Sequence, residues 1–297
     1  MTQQDPTRMQ VRRRETHLDR DGGVCLLRRA WLPPEPERVL LLVHGLAEHS
    51  GRYDRFGAWF ARRGCAVHAY DQRGHGRSGG VRGHVRAFAE FLDDLEALLR
   101  CLRDEHPALP IALIGHSMGG LVVASFVRER SPAIAAAVTS GAALTVSSRA
   151  SASRRLAARL LRRVAPRAAI PIGIDPTALS RDLDVARRYA ADPLVFDRMT
   201  VSLASELMRA AERTAWLGGG EIRIPMLLLH GADDSLCPPV GSRLFGAALE
   251  PAESELRIYP GLRHEIFNEP EWEGVFQDVL AWLSRVAPTL SGSRGAG

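Results

Sequence analysis

Runs of residues that are apolar at nearly every position alternate along this chain with stretches whose apolar residues recur every three or four positions. Val39 to Val43 is the first such run; Cys65 to Tyr70, Ile111 to Ile114, Ala135 to Ala143 and Ile224 to Leu229 follow it, and a further strand is expected near Glu255 to Tyr259. A short run with no polar face suits a parallel strand covered on both sides. Helical patterns lie between the runs: one through Phe56, Trp59 and Phe60 that stops at Gly64, then Phe88 to Arg103, Leu121 to Arg130, Val240 to Leu249 and Val275 to Val286. Strand then helix, repeated, predicts a parallel sheet joined by right-handed crossovers. Ahead of it, Val11 to Leu18 and Val24 to Leu32 flank Asp21-Gly22-Gly23, which has the chemistry of a hairpin turn and would add an antiparallel edge. The expected fold is α/β, a mostly parallel eight-stranded sheet flanked by helices.

The alternation fails from Thr145 to about Gly220, where the pattern reads as helices only, punctuated by Pro166, Pro171, Pro176 and Pro193. A helical insertion after the sixth strand is expected to form a cap or lid. The expected division is therefore a core at 1–144 and 221–289, a helical cap at 145–220, and a flexible small-residue tail at 290–297.

At 297 residues and 45% hydrophobic composition the chain can bury a large core without staples. Cys25, Cys65, Cys101 and Cys237 lack C-x-x-C spacing and read as free thiols of a reducing compartment. Met1 to Gly23 has no apolar segment, and no stretch approaches the length needed to span a bilayer, so a cytoplasmic, non-spanning protein is expected. The formal charge is +5, but all 39 basic residues are Arg and Lys is absent. Such a bias reflects composition as much as function, and no nucleic-acid partner is expected from it. Asp71-Gln72-Arg73-Gly74-His75-Gly76-Arg77-Ser78 is glycine-spaced yet matches neither the phosphate-loop nor the dinucleotide fingerprint.

The chemistry centres on Gly115-His116-Ser117-Met118-Gly119, a G-x-S-x-G between a strand and a helix. Turning a strand at once into a helix strains the serine and holds its hydroxyl up at the carboxyl end of the sheet. The N–H of Met118 then lies at a helix N-terminus, where unpaired donors favour developing negative charge, and supplies half of an oxyanion hole. In this architecture the second donor comes from the loop after the third strand, here the main-chain N–H of Leu46 in His44-Gly45-Leu46.

A serine hydroxyl needs an adjacent base, which needs an orienting acid, and both follow the serine in chain order. Only His230 and His264 of the ten histidines lie beyond Ser117. His230 ends a strand and precedes every plausible acid, whereas His264 follows the loop after the last strand; His264 is the expected base. Gly231-Ala232-Asp233-Asp234 offers two carboxylates, of which one can face the histidine. The G-x-x-D spacing favours Asp234, with Asp233 left to cap the following turn. The chain order of His75 and His116 makes them poor bases and assigns them structural roles.

These stretches resemble the monoacylglycerol lipase family of serine hydrolases, within the α/β-hydrolase fold. The resemblance rests on His44-Gly45-x-x-Glu48-His49-x-x-Arg52-Tyr53, Asp71-x-Arg73-Gly74-His75-Gly76-x-Ser78, Gly115-His116-Ser117-Met118-Gly119-Gly120, Gly231-x-x-Asp234-x-x-Cys237 and Gly261-x-x-His264. It extends into the cap through Gly173-Ile174-Asp175-Pro176 and Asp192-Pro193-Leu194-Val195. The resemblance implies hydrolysis of one acyl ester from glycerol under a cap that covers an acyl tunnel, and it supports Asp234 over Asp233. Two readings stand for Glu48 and Arg52: contact with glycerol hydroxyls, as the resemblance suggests, or a pair that orders the loop. Cys237 lies beside the acid loop, either as a thiol near the pocket or buried without reactivity. Pro238-Pro239 departs from the family pattern and stiffens that loop.

The expected function is hydrolysis of a lipid monoester, most directly monoacylglycerol to glycerol and fatty acid, by Ser117, Asp234 and His264 through an acyl-enzyme. Lysophospholipases and carboxylesterases for small esters share the motifs, and a non-catalytic binding protein on the same fold is the remote alternative. No H-E-x-x-H or comparable ligand spacing occurs, so neither metal nor organic cofactor is expected. The expected partner is the lipid substrate, with a candidate peripheral membrane contact through the cap. Seven arginines lie at 149, 154, 155, 159, 162, 163 and 167, with Leu156, Leu160, Leu161 and Val164 at helical spacing beside them. Nothing in the pattern specifies an oligomeric state.

Overall fold

The computed structural model describes residues 10–145, 163–217 and 222–288. Eight strands form one sheet in the order β1-β2-β4-β3-β5-β6-β9-β10. They are β1 (Arg12–Arg20), β2 (Val24–Leu32), β3 (Arg38–Val43), β4 (Cys65–Tyr70), β5 (Ile111–His116), β6 (Ala136–Ser140), β9 (Met226–Gly231) and β10 (Glu255–Tyr259). β1 pairs β2 and β2 pairs β4 antiparallel, and every other pairing is parallel.

The central strands are buried on both faces and apolar at most positions because alternate residues enter opposite cores. Val39, Leu41 and Val43 face one cluster with α2 (Ala89–Glu105) and α3 (Met118–Arg130), which contribute Phe91, Leu95 and Val122. Leu40 and Leu42 face the other with α1 (Asp54–Ala61). On that side Phe56 and Phe60 meet Phe276 of the last helix at centroid distances of 5.1 and 5.5 Å. Burying such a side chain is worth about 1.5–3 kcal/mol.

The chain moves from β3 to β4 on one side and returns to β5 on the other, so the loops after β3 and β5 leave adjacent strand ends. Such a reversal opens a crevice at the carboxyl edge of a parallel sheet.

The segment between β6 and β9 is not helical only. β7 (Ala169–Pro171) and β8 (Arg198–Thr200) form a small antiparallel ribbon beside α4 (Leu183–Ala191) and α5 (Val201–Leu217). Three-residue strands carry too little alternation for a period to register, and their pairing is non-local. The Phe196 and Thr200 amides donate to the carbonyls of Ala47 and Gly83, tying this segment to the loops after β3 and β4. α5 packs into the core through Leu203 and Ala210, and its Thr214 hydroxyl meets Ser125 of α3 at 2.8 Å. Most of the arginine cluster (149, 154, 155, 159 and 162), with Leu156, Leu160 and Leu161, lies outside the described residues, as does the tail at 290–297. No helix among the described residues is long and apolar enough to cross a membrane.

Candidate active site

Ser117 sits between β5 and α3 with φ 53° and ψ −117°, a conformation that L-residues avoid. Glycine makes the turn sterically feasible. A Cβ at Gly119 would lie 2.1 Å from the Val43 carbonyl oxygen, and one at Gly115 would lie 2.4 Å from that of Gly119. The Ser117 amide donates to Ser140 of β6 at 2.9 Å, and its carbonyl accepts from Ala143. The serine is thereby pinned to the neighbouring strand.

Asp234 follows β9 and His264 follows β10. His264 Nδ1 donates to Asp234 Oδ2 at 2.7 Å, and both residues are buried. The other carboxylate oxygen, Oδ1, accepts the amides of Leu236 at 2.9 Å and Cys237 at 2.8 Å. The turn-capping role expected of Asp233 therefore falls to Asp234 as well, and Asp233 is exposed. Burial raises the Asp234 pKa, but hydrogen bonds from His230 and His264 outweigh it and hold the carboxyl well below its ordinary range. For His264 burial lowers the pKa, while the Asp234 bond and charge, with Glu265 and Glu48, bring the net shift upward. The His116 ring lies 4.8 Å away with its Nδ1 against the Ser140 hydroxyl; burial, aided by His264, outweighs the Glu48 and Glu265 charges and pushes it down to about 4. Of these two neighbouring imidazoles, only His264 has its basicity raised, which suits it to the role of proton acceptor.

The Ser117 hydroxyl meets the Cys237 thiol. Its bond to His264 is not among those formed by the described residues, and such contacts commonly close only around substrate. Burial and then the Asp234 charge push the Cys237 thiol well up, so it rests as a thiol beside the serine. Pro238 and Pro239 lead directly into α6 (Val240–Ala247), their carbonyls accepting the Gly241 and Arg243 amides.

The loop after β3 is rigid. The Gln72 amide donates to His44 Nε2 at 2.9 Å, so His44 is neutral and its Nδ1 donates to the Gly45 carbonyl at 2.7 Å. The Gly45 amide is committed to Glu48 Oε1 at 2.6 Å. Neither the Leu46 nor the Met118 amide donates to an acceptor among the described residues. Leu46 lies on the loop after β3 and Met118 opens α3 directly after the β5 elbow, at the ends of adjacent strands.

A family model described as Hydrolase_4, Serine aminopeptidase, S33, matches residues 34–271. The chain is 38% identical to a monoacylglycerol lipase of Mycolicibacterium smegmatis over 88% of its own length and 94% of the relative's. It is 32% identical to the human monoglyceride lipase over 92% and 91%. Among solved structures, that of the Paleococcus ferrophilus monoacylglycerol lipase superposes with a TM-score of 0.80 at 35% identity, covering 88% of this chain and 98% of that one. The chain belongs to the monoacylglycerol lipase family. It is a carboxylic ester hydrolase of the α/β-hydrolase fold.

Beyond the Glu48–Arg52 pair weighed from the sequence, several buried groups of this family member have partners that the sequence did not indicate. Glu48 and Arg52 form the loop-ordering pair: Glu48 Oε2 accepts from Arg52 at 2.5 Å, and Oε1 also accepts the Tyr53 hydroxyl at 2.7 Å. Arg52 reaches on to Glu265 with two bonds of 2.8 and 2.9 Å, joining the loop after β3 to the residue beside His264. Burial raises the Glu48 pKa, but Arg52 and its other partners hold it down at about 2. Glu269 accepts the Arg263 and Arg181 amides at 2.7 and 3.0 Å and anchors the base loop from its other end. His230, set aside as a base, is a second partner of the acid. Its Nε2–H points to Asp234 Oδ2 at 3.1 Å and the Cys237 carbonyl at 2.6 Å, while Nδ1 accepts from Ser242 at 2.8 Å. His75 is buried with Nδ1 against the Arg73 carbonyl. The i,i+4 spacing of His230 and Asp234 was the one signal available, and it has meaning only once the turn geometry is known.

Proposed function

We propose that this enzyme cleaves monoacylglycerol to glycerol and fatty acid, with Ser117 as nucleophile, His264 as general base and Asp234 as the orienting acid. The observation that carries this is the Asp234–His264 bond, set on the loops after β9 and β10 beside the serine elbow. In the proposed reaction His264 Nε2 takes the hydroxyl proton as Ser117 Oγ attacks the ester carbonyl. The Leu46 and Met118 amides hold the resulting oxyanion. Collapse expels the glycerol oxygen, which receives the proton from His264, and a water activated by the same imidazole releases the fatty acid. Glu48 and Arg52 act on this reaction by fixing the loop that carries Leu46.

Residues 145–220 serve in this reading as the cap over the acyl chain, and its arginine-rich start meets anionic lipid. Arg163 and Arg167 are exposed there, and Val164 is 81% exposed. Attraction of about 1 kcal/mol per charge near an anionic surface, weakened by salt, is the expected scale. A cytoplasmic location fits the four unpaired cysteines.

A chain-length series of monoacylglycerols, lysophospholipids and nitrophenyl esters tests the substrate. Long-chain monoacylglycerols should give the highest kcat/KM. Turnover confined to short nitrophenyl esters would reassign the enzyme to general carboxylesterases.

A further inference from the structure

A cavity of about 260 Å³ opens on the β1–β2 side of the sheet. The register puts Arg12, Arg14 and Thr16 of β1 on the same face as Leu32, Ala30 and Arg28 of β2, and His68 of β4 lies opposite Ala30. The end of α2 completes the wall with Glu105 and His106. His68 and Arg28 are buried, so the floor is built of fixed polar groups.

The charges of the lining do not cancel. Arg28 is matched by Glu105 through two bonds of 2.9 and 3.1 Å. Arg12 and Arg14 form no ion pair among the described residues, and both are exposed at the rim. Burial, with His106, Arg28 and Arg14 behind it, pushes His68 down to about 3, and burial also lowers His106. The imidazoles are therefore neutral near pH 7, and the cavity carries two unmatched positive charges.

Two ligand types could suit such a cluster. His68 Nε2 and His106 Nε2 are 3.2 Å apart, and with Glu105 they offer three ligand atoms within 4.8 Å of one another, as a divalent cation would need. A cation there would compete with Arg28 for Glu105 and face Arg12 and Arg14 unscreened. An oxyanion leaves the Arg28–Glu105 pair intact and matches the sign of the field. Charged residues on an edge strand commonly serve only to block edge pairing. That role does not call for a cavity floored by His68 and Arg28.

We propose that this cavity binds a phosphate monoester or inorganic phosphate dianion, with the Arg12 and Arg14 guanidinium groups and the Thr16 hydroxyl as its principal donors. The charge of such a group near pH 7, about −1.5 to −2, matches the two free guanidinium groups. The site is separate from the serine: His106 lies just before the start of β5, and Ser117 follows its far end.

Calorimetric titration of the full chain with inorganic phosphate, at ionic strength held constant with chloride, tests this. Saturable one-site binding is expected, weakened about tenfold or more in R12Q/R14Q, consistent with losing charge-assisted bonds. Both arginines are exposed, so the double variant should melt with wild type and hydrolyse a soluble short-chain ester at the wild-type rate. Glycerol phosphate in solution and vesicles containing phosphatidic acid separate the sources of the phosphate, since only a headgroup site favours vesicles over both soluble anions. Absence of saturable binding to every one of these probes, or equal affinity in wild type and R12Q/R14Q, would overturn the proposal. Zinc binding that is lost in H106N, with no phosphate binding, would assign the cluster to a metal instead.

Discussion

Asp234→Asn should damage this enzyme twice, for reasons that separate in the assay. Oδ1 accepts two main-chain amides, from Leu236 and Cys237, so the retained oxygen of the asparagine must stay on that side. The new NH2 then replaces Oδ2, which now accepts from His264 Nδ1 at 2.7 Å and His230 Nε2 at 3.1 Å. Against His264 it forces the tautomer that accepts at Nδ1 and carries its proton on Nε2, so the imidazole can no longer deprotonate Ser117. A wrong tautomer of this kind costs on the order of 10⁴ in kcat. Against His230 it sets donor against donor at a buried site, which costs about 1–3 kcal/mol of stability. Initial rates on a soluble ester read the first effect and urea unfolding the second. Asp233→Asn is the control: this exposed residue should change stability by no more than about 0.5 kcal/mol. A D234N enzyme with roughly a tenth of wild-type kcat, or a D233N enzyme as impaired as D234N, would refute the assignment.

The base works only when neutral, and its pKa is raised, so kcat/KM should climb with pH through an apparent pKa above 6.5; a profile flat from about pH 5 to about 8 would contradict this. The Glu48 pKa is about 2 in the fold against 4.5 as the reference, so its stabilisation is complete above about 4.5 and fades as pH falls toward about 2. Unfolding free energies of E48Q and wild type from urea titrations should accordingly converge over that window from a difference of about 3 kcal/mol at pH 7, and parallel curves would show that Glu48 is not held as described.

The sheet was legible in the sequence because its strands are buried on both faces, and two-sided burial writes an uninterrupted apolar run such as Val39 to Val43. The nucleophile was legible because the elbow's steric demands fall on glycines at fixed offsets, as the 2.1 Å approach at Gly119 shows. The β7–β8 ribbon was not, because three residues per strand leave no period, and its pairing joins positions nearly thirty residues apart. Nor was the link from Glu48 through Arg52 to Glu265, since a contact spanning 213 residues exists only after folding. Asp234 was favoured by spacing, but its double duty as turn cap and histidine partner, and the support from His230, depend on how the turn after β9 closes. The cavity of Arg12, Arg14 and His68 follows from strand register and from where α2 ends against the sheet, which composition does not reveal.

The most direct test of the account is covalent labelling with a fluorophosphonate, read by peptide mass spectrometry beside residual activity. The account predicts one adduct, on the peptide containing Ser117 at its hydroxyl, with activity lost in proportion to labelling and no adduct in S117A. A fully active enzyme after exhaustive treatment, or inactivation with the adduct on another residue, would contradict it.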